Sequence, residues 1–351
     1  MIKKIYKKIV YSFFYYLYGK ISNKKILKKF LIKRLFINSK DFINLYIINN
    51  CRIFTDCNTN VAYIYQNKII PEVSYQQNKH NIDSVKFNST LKIGTPKFKK
   101  YFKGNVLSLV QGASGTNYWH WLYDILPKIE ILSKNGHLKK INYFYVPDIN
   151  NFILETLECY GITKNKLINS KKYKHIFADE VYALEHLYLK KGAFNRAFEK
   201  IPKWIIIFLN TKFLKFKKKF TCPNRIFIDR SDSKFSHFRI LNHEETKNYF
   251  ISRGFKFYKL SQVNFFQQIY LFNNAKIIVG PHGAGFANLA FCKKNTKVYE
   301  ILTENQSYRN GYQKVCQYMK LKHKKLIVKN NRFFKIQLDL NKVKKYFRRD
   351  G

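Results

Sequence analysis

Cysteine, arginine and acidic residues are scarce in this sequence, and each scarcity narrows the class of protein. Six cysteines are spread over 351 residues, and none forms a CxxC pair or joins a histidine at the spacing of zinc ligands. We therefore expect no disulfide framework and no structural metal, and a reducing, cytoplasmic compartment is favoured. The apolar run Ile9–Tyr18 has only about ten residues, whereas a membrane-spanning helix needs about 20.

The shortage of acidic residues makes the chain strongly basic. Lys and Arg number 66 against 21 Asp and Glu, which gives a net charge of +45. Such a charge points to nucleic acid or to an anionic membrane. However, the chain is also saturated with Lys, Asn, Ile, Tyr and Phe, the pattern of an AT-rich coding bias, and biased lysines say little about partners. A nucleic-acid partner is therefore disfavoured, and a basic nucleic-acid-binding protein is kept as an alternative.

The few arginines are more informative than the many lysines. Only 11 of the 66 basic residues are Arg, yet Arg225, Arg230 and Arg239 lie within one short stretch. A planar guanidinium can clamp a phosphate through two hydrogen bonds, which a lysine cannot do. The cluster therefore predicts a phosphate-binding region.

The length of the chain predicts two domains, and 46% hydrophobic residues are ample for two cores. The charge run Thr211–Asn224 ends in a proline turn and is the best boundary candidate. We predict a basic, aromatic N-terminal segment, two α/β domains and a basic C-terminal helix. These four segments cover residues 1–40, 41–212, 221–330 and 331–351.

The N-terminal segment, 1–40, mixes lysines with Tyr and Phe. One interpretation is an interfacial helix on an anionic membrane leaflet, peripheral rather than spanning. The other is an ordinary amphipathic helix pair packed on the protein. The membrane-surface interpretation is slightly favoured.

In the second domain, apolar runs alternate with helical patterns. This rhythm predicts a parallel, doubly wound sheet, and ligands of such sheets bind at the carboxyl ends of the strands. Arg230 and Glu300 should therefore lie at one edge of the sheet. Asn242 and Ser261 are the predicted helix N-caps. The predicted strands are Arg225–Asp229, Phe255–Leu260, Ile277–Val279 and Val298–Leu302.

The glycine-rich turn that follows the third of these strands is the most informative feature. The stretch Lys276–Asn288 reads KIIVGPHGAGFAN. Glycine serves where φ is positive or where a ligand approaches the backbone, and a strand, a Gly-rich turn and a helix N-terminus together form an anion site. The alternative is a plain tight turn. His282 favours a functional turn, because histidine can donate to a phosphate or a leaving group.

A second histidine lies in the stretch Gln111–Leu132. His120 and Asp124 are four residues apart and share one helix face, so they could serve as a general base and its orienting group. Alternatively, the helix is simply capped and its histidine is packed. Pro127 should kink or end the first helical segment. Ser114 suggests a hydrolase, but the turn G-A-S-G is not the G-x-S-x-G elbow, so that interpretation is disfavoured.

Together these motifs resemble glycosyltransferase family 61, in the same order, over roughly residues 105–302. Asn117–Pro127 is similar to the block N-Y-x-H-W-x-x-D-x-L-P of that family. Lys128 stands where the family often has Arg, and Phe238 replaces the first Arg of a usual pair. The remaining resemblance rests on Ile228–Arg230, Arg239–Asn242, Gln267, Ala275, Ile278–Gly285, Asn288 and Glu300.

The resemblance implies an inverting transferase of the GT-B type, with two Rossmann-like, doubly wound domains facing a cleft. Residues 41–212 would then be the acceptor side and 221–330 the nucleotide-sugar side. The implied partners are a nucleotide-sugar donor and a glycan or lipid-linked acceptor of surface polysaccharide biosynthesis, with no cofactor and no obligatory metal. A non-catalytic scaffold of a polysaccharide assembly complex stays an alternative. The implied catalytic residues are His120 or Asp124 and His282; the implied donor-binding residues are Arg230, Arg239, Gly280, Gly283, Ala284, Gly285, Asn288 and Glu300.

Overall fold

The structure is a computed structural model that divides into two compact units, Met1–Ala197 and Phe198–Gly351, here called the N-terminal and C-terminal units. This division lies ahead of the predicted boundary at Thr211–Asn224. The described residues are 2–26, 30–57, 59–78, 81–83, 85–111, 117–187, 200–232, 238–329 and 335–347. None of the helices within these ranges is both long and apolar enough to cross a membrane.

The N-terminal unit combines helices with a large sheet. Its helices are α1 (Ile2–Tyr18), α2 (Thr90–Ile93), α3 (Tyr118–His120), α4 (Leu126–Lys134) and α5 (Asn151–Glu158). Its strands are β1 (Leu31–Phe36), β2 (Phe42–Thr55), β3 (Asn60–Tyr65), β4 (Lys68–Ile69), β5 (Tyr75–Asn78), β6 (Asn81–Asp83), β7 (Lys100–Ser108), β8 (Tyr143–Val146), β9 (Leu167–Asn169) and β10 (His175–Leu184).

The sheet of the N-terminal unit is mixed, which corrects the prediction of a doubly wound sheet in this unit. Its main order is β6-β5-β3-β2-β10-β7-β8-β9, with β1 paired to β2 and β4 to β3. Strands β10, β7, β8 and β9 are parallel, whereas β2 pairs antiparallel with β10 and with β3. Hairpin-length connections between the early strands leave no room for crossover helices, so their pairing is antiparallel.

The core of the N-terminal unit lies on the faces of the central strands. Ile48, Val106 and Val181 come from the three adjacent strands β2, β7 and β10, and all three are fully buried. β-Branched residues suit such a position because their stiff side chains pack well on a pleated surface. The central strands therefore hold the carboxyl ends of β7 and β10 in fixed positions.

The helix after β7 changes form where the sequence predicts a kink. Residues Trp121–Ile125 form a π-helical turn between α3 and α4, in which the N–H of Leu126 donates to the carbonyl of Trp121. Pro127 follows in the first turn of α4, where a missing N–H is tolerated. The helix therefore continues past Pro127.

The C-terminal unit has the predicted βα rhythm and a parallel sheet. The sheet order is β12-β11-β13-β14-β15, and every pairing in it is parallel. The α/β class is therefore confirmed. Its elements are α6 (Lys203–Phe213), β11 (Arg225–Asp229), α7 (His243–Ile251), β12 (Phe255–Lys259), α8 (Phe265–Asn274), β13 (Ile277–Pro281), β14 (Lys297–Thr303), α9 (Gly311–Met319), β15 (Lys322–Val328) and α10 (Leu340–Phe347).

Helix α6 belongs to the C-terminal unit, although the predicted domain 41–212 includes it. The side chain of Asn210 donates to the carbonyl of Ala290, at 2.8 Å, and Phe213 packs edge-on against Phe265. The charge run that predicts the boundary therefore begins inside a helix that packs against other helices of the C-terminal unit.

The predicted helix caps are only partly right. Asn264 caps α8 and forms a capping box with Gln267, so the predicted cap at Ser261 is wrong. Asn242 stands at the N-cap of α7 without a side-chain capping bond; its amide instead donates to Glu245 and to the carbonyl of Leu338.

Candidate functional site

A cavity of about 350 Å³ opens in the C-terminal unit at the carboxyl ends of β11 and β13. Three cationic side chains line it, from Arg230, Arg239 and Lys335, together with His243 and the two carboxylates Asp229 and Glu244. The location is the one expected for a ligand of a parallel sheet. An excess of guanidinium and ammonium groups suits a phosphate-bearing ligand.

Arg230 supports the glycine turn as well as lining the cavity. Its Nη1 donates to the carbonyl of His282, and its guanidinium lies 5.9 Å from the centre of the Phe238 ring. Burial lowers the pKa of Arg230 from its ordinary value. Sequence reasoning placed Arg230 next to the turn, and the structure brings the two together.

The glycines of the turn are explained by packing against the chain itself. None of Gly280, Gly283 and Gly285 lies in the left-handed region of backbone conformation, since the φ of Gly283, 167°, is that of extended backbone. A Cβ on Gly283 would come within 2.4 Å of the Arg230 guanidinium, and one on Gly280 within 2.9 Å of Ile228. The turn therefore packs closely against the Arg230 guanidinium, and the binding of a donor by Gly280, Gly283, Ala284 and Gly285 stays a prediction.

The helix after the turn is a 3-10 helix, Ala284–Phe291. Ala284 is half-buried at its start. The amide of Asn288, fully buried, donates to Gln268 at 2.8 Å and to the carbonyl of Gly285 at 3.1 Å. Asn288 therefore connects the turn to α8, and its predicted contact with a donor stays a prediction.

A buried carboxylate holds the imidazole of His282. Its Nδ1 is hydrogen-bonded to Glu300 Oε1, and Glu300 Oε2 lies 3.0 Å from His323 Nε2. Burial alone would raise the pKa of Glu300, but the two histidines outweigh it and lower the pKa to about 2. Glu300 is only 1% exposed. Each of its oxygens accepts from one imidazole, and the predicted contact of this carboxylate with ribose hydroxyls stays a prediction.

Sequence reasoning missed three neighbours of His282. Arg309 Nη1 lies 3.3 Å from His282 Nε2, and the hydroxyl of Tyr312 donates to the carbonyl of Gly283 at 2.6 Å. His323 is the third. The scarcity of arginine could have singled out Arg309, whereas His323 and Tyr312 carry no local signal.

Arg239 is exposed beside the cavity. Its carbonyl accepts from the N–H of Ile336 at 2.8 Å, so the backbone is fixed while the guanidinium reaches solvent. Of the predicted donor-binding residues, Arg230 and Arg239 line the cavity directly.

A second cluster lies in the N-terminal unit, at the carboxyl ends of the parallel neighbours β7 and β10. His120 Nδ1 lies 2.7 Å from Asp124 Oδ2, as the four-residue spacing predicts. His186, which follows β10, places Nε2 at 3.9 Å from the same oxygen. Burial lowers the pKa of His186 to about 3, against the opposing charge of Asp124.

A buried lysine completes this cluster. Lys128 Nζ donates to Gln111 Oε1 at 2.6 Å and to the carbonyl of Leu184 at 3.4 Å. Burial lowers the pKa of Lys128 to about 8, although Asp124 and Glu185 oppose the shift. Lys128, at the position where the resembled family often has Arg, therefore keeps a positive charge near Asp124.

The glycine turn before this helix, at 112–116 with Ser114, lies outside the described residues. Within the part of the chain that is described, no three His, Cys, Asp or Glu side chains are grouped so that they could hold a metal ion.

Comparison with known proteins adds one finding. A family model described as Glycosyltransferase 61 matches residues 118–299, just over half of the chain. The matched range includes His120, Asp124, the turn and the two cavity arginines Arg230 and Arg239, whereas Glu300, Arg309 and Lys335 lie beyond its end. No curated protein matches the chain.

Proposed function

The chain belongs to glycosyltransferase family 61, and on that premise we propose an inverting transfer of sugar from a nucleotide-sugar donor, a UDP-sugar, to a glycan or lipid-linked acceptor. The C-terminal unit binds the donor and the N-terminal unit activates the acceptor, the division of labour of a GT-B transferase. The reaction serves surface polysaccharide biosynthesis in the cytoplasm, where six free thiols are compatible with a reducing compartment.

One observation carries the donor assignment. The cavity at the ends of β11 and β13 gathers Arg230, Arg239 and Lys335, and Arg309 lies close by through His282. A departing nucleoside diphosphate gathers negative charge, and fixed cations stabilise that charge most where water is excluded. These side chains supply the positive charge without a metal ion, so we propose a metal-independent reaction.

The geometry supports His120 as the base and Asp124 as the group that orients it. Asp124 is almost fully buried, whereas the side chain of His120 is 19% exposed. A base must reach the hydroxyl whose proton it takes, and His120 is the more accessible of the two. The acceptor hydroxyl attacks the anomeric carbon, the bond from that carbon to the diphosphate oxygen breaks, and the proton passes to His120.

Calorimetry with UDP and a donor-hydrolysis panel of UDP-, GDP- and CDP-sugars tests the proposal. Arg239→Ala should weaken UDP binding by roughly 10-fold or more, because a hydrogen bond to a charged group contributes about 1.5–3 kcal/mol. Arg253→Ala is the matched control, since Arg253 is exposed on the same unit and away from the cavity. Equal UDP affinity of the two variants would remove the donor assignment, and a folded protein that binds no nucleotide would be the scaffold instead.

A further inference from the structure

Helix α1 presents an apolar stripe to solvent. Residues three or four apart lie on one face of a helix, and six such side chains in α1 are each at least half exposed. Three lysines of the same helix are also exposed, and by helix geometry Lys8 borders the stripe while Lys4 and Lys7 project from the other side of the helix. The stripe consists of Ile2, Ile5, Tyr6, Ile9, Phe13 and Tyr16.

The opposite side of α1 is packed on the N-terminal unit, so the stripe is not the result of a detached helix. Phe14 is buried and packs edge-on against Phe98 and face-on against Tyr18, with centroids 5.1 and 5.9 Å away. Tyr18 contacts His175 of β10 at 5.0 Å. Phe98 is itself 72% exposed and lies 6.2 Å from Phe13, which extends the apolar surface beyond the helix.

A cavity of about 310 Å³, here called the Arg52 cavity, adjoins the C-terminal end of the stripe. Leu17, which is 47% exposed, and Tyr18 form its helix side, and Arg52 and Lys99 also line it. Arg52 is 8% exposed and hydrogen-bonded to Asn67. The apolar surface and the cationic cavity are therefore continuous.

The two cations of the Arg52 cavity have no acidic counterpart. Within the described part of the chain, no carboxylate lies within ion-pair distance of Arg52 or Lys99, and the lining contains none. Burial lowers the pKa of both groups, and the charge of Arg52 lowers that of Lys99 further. Their mutual repulsion would be relieved by an anion in the cavity.

We propose that α1 docks on an anionic phospholipid bilayer, with its stripe at the boundary of headgroups and acyl chains and a lipid phosphate in the Arg52 cavity. An amphipathic helix with an apolar face and lysines on its remaining surface has this mode of binding, and each cation near an anionic leaflet adds to it. The site goes beyond the proposed function, since docking needs neither donor nor sugar transfer.

Co-sedimentation of the full chain with vesicles tests the docking. Vesicles of phosphatidylcholine containing phosphatidylglycerol should bind the protein, and vesicles of phosphatidylcholine alone should bind it much less. Phe13→Asp should lower binding on the order of 10-fold or more, because it removes a ring that docking would bury in the bilayer. Its matched control is Phe87→Asp, at a residue that is 57% exposed elsewhere on the N-terminal unit.

A separate substitution tests the Arg52 cavity. Lys99→Met should lower binding roughly fivefold, the effect of one cation at an anionic surface, whereas Lys139→Met, which removes an exposed lysine outside the cavity, should not. Equal binding of each variant and its control would overturn the proposal. Inorganic phosphate that raises the melting midpoint without any vesicle binding would assign the cavity to a free anion and also overturn it. UDP affinity is read separately, so a failure of docking does not touch the proposed transfer.

Discussion

Both units contain an imidazole bonded to a buried carboxylate, but the two pairs are built for different tasks. In the N-terminal unit, His120 and Asp124 are neighbours on one helix. In the C-terminal unit, Glu300 reaches His282 from the adjacent strand and also accepts from His323. The side chains of His120 and His282 are 19% and 14% exposed, so exposure alone does not separate them.

The surroundings of the second ring nitrogen of His282, Nε2, distinguish this histidine from His120. His282 Nε2 faces the guanidinium of Arg309 at 3.3 Å, and Arg230 holds the carbonyl of His282. A proton on that nitrogen would face two cations, and burial lowers the pKa of His282 in addition. His282 is therefore suited to positioning cations for a leaving group, whereas His120 is suited to taking a proton.

The largest effect that tests this contrast comes from His120→Gln. Loss of a general base lowers the rate by roughly 10²–10⁴-fold, so we expect kcat to fall by that amount while UDP affinity stays unchanged. Steady-state kinetics and calorimetry measure the two quantities. His137→Gln, at a histidine of the same unit outside the cluster, is the control. A loss of only a few-fold in kcat would show that His120 is not the base.

Glu300→Gln tests the other pair. The amide cannot accept from both histidines, so a buried donor loses its partner, which costs about 1–3 kcal/mol in the free energy of unfolding. UDP affinity should fall as well, because the cations around His282 lose their support. Glu304→Gln, at an exposed position in the same unit, is the control for the change of charge. If the two variants unfold at the same denaturant concentration, the carboxylate does not hold the site.

A smaller effect concerns His186 and pH. The pKa of His186 is lowered from 6.5 to about 3, so below pH 6.5 the unfolded chain takes up a proton that the folded chain does not. Stability from this group is therefore lost as pH falls, by about 2 kcal/mol between pH 6.5 and 5. Urea unfolding should show that His186→Gln loses less stability than the wild type over that range. If His186→Gln and the wild type lose the same stability over that pH range, the burial of a neutral imidazole at His186 is contradicted.

The smallest expected effect is that of metal removal. We propose that cations from the chain take the role that a metal ion has in other transferases, so EDTA should leave turnover unchanged. Turnover is measured before and after chelation and again after adding Mg²⁺ or Mn²⁺. A rate that disappears with EDTA and returns with either ion would end the metal-independent proposal.

The elements that sequence predicts well are those whose signal is local. Strand Arg225–Asp229 follows the predicted bounds, because it is a short, mostly apolar run between breakers. The bond from His120 to Asp124 was predictable for the same reason, since helix geometry fixes residues four apart.

Apart from the local cap of α8 at Asn264, the main misses depend on contacts between distant residues. The side chain that occupies the space beside Gly283 is the guanidinium of Arg230, and Glu300 meets His323 only because β14 and β15 pair in one register. The mixed sheet of the N-terminal unit likewise depends on β10 returning to pair with β2. No short stretch of the sequence contains both partners of any of these contacts.

The length of β2 has a consequence for how the protein is made. Its 14 residues pair with β1, β3 and β10, and Ile48 meets Val181 on the last of these. Pairing between strands far apart in the sequence slows folding. During synthesis, the apolar side of β2 stays exposed until β10 has left the ribosome. We therefore expect nascent chains to be prone to self-association until β10 has been synthesised.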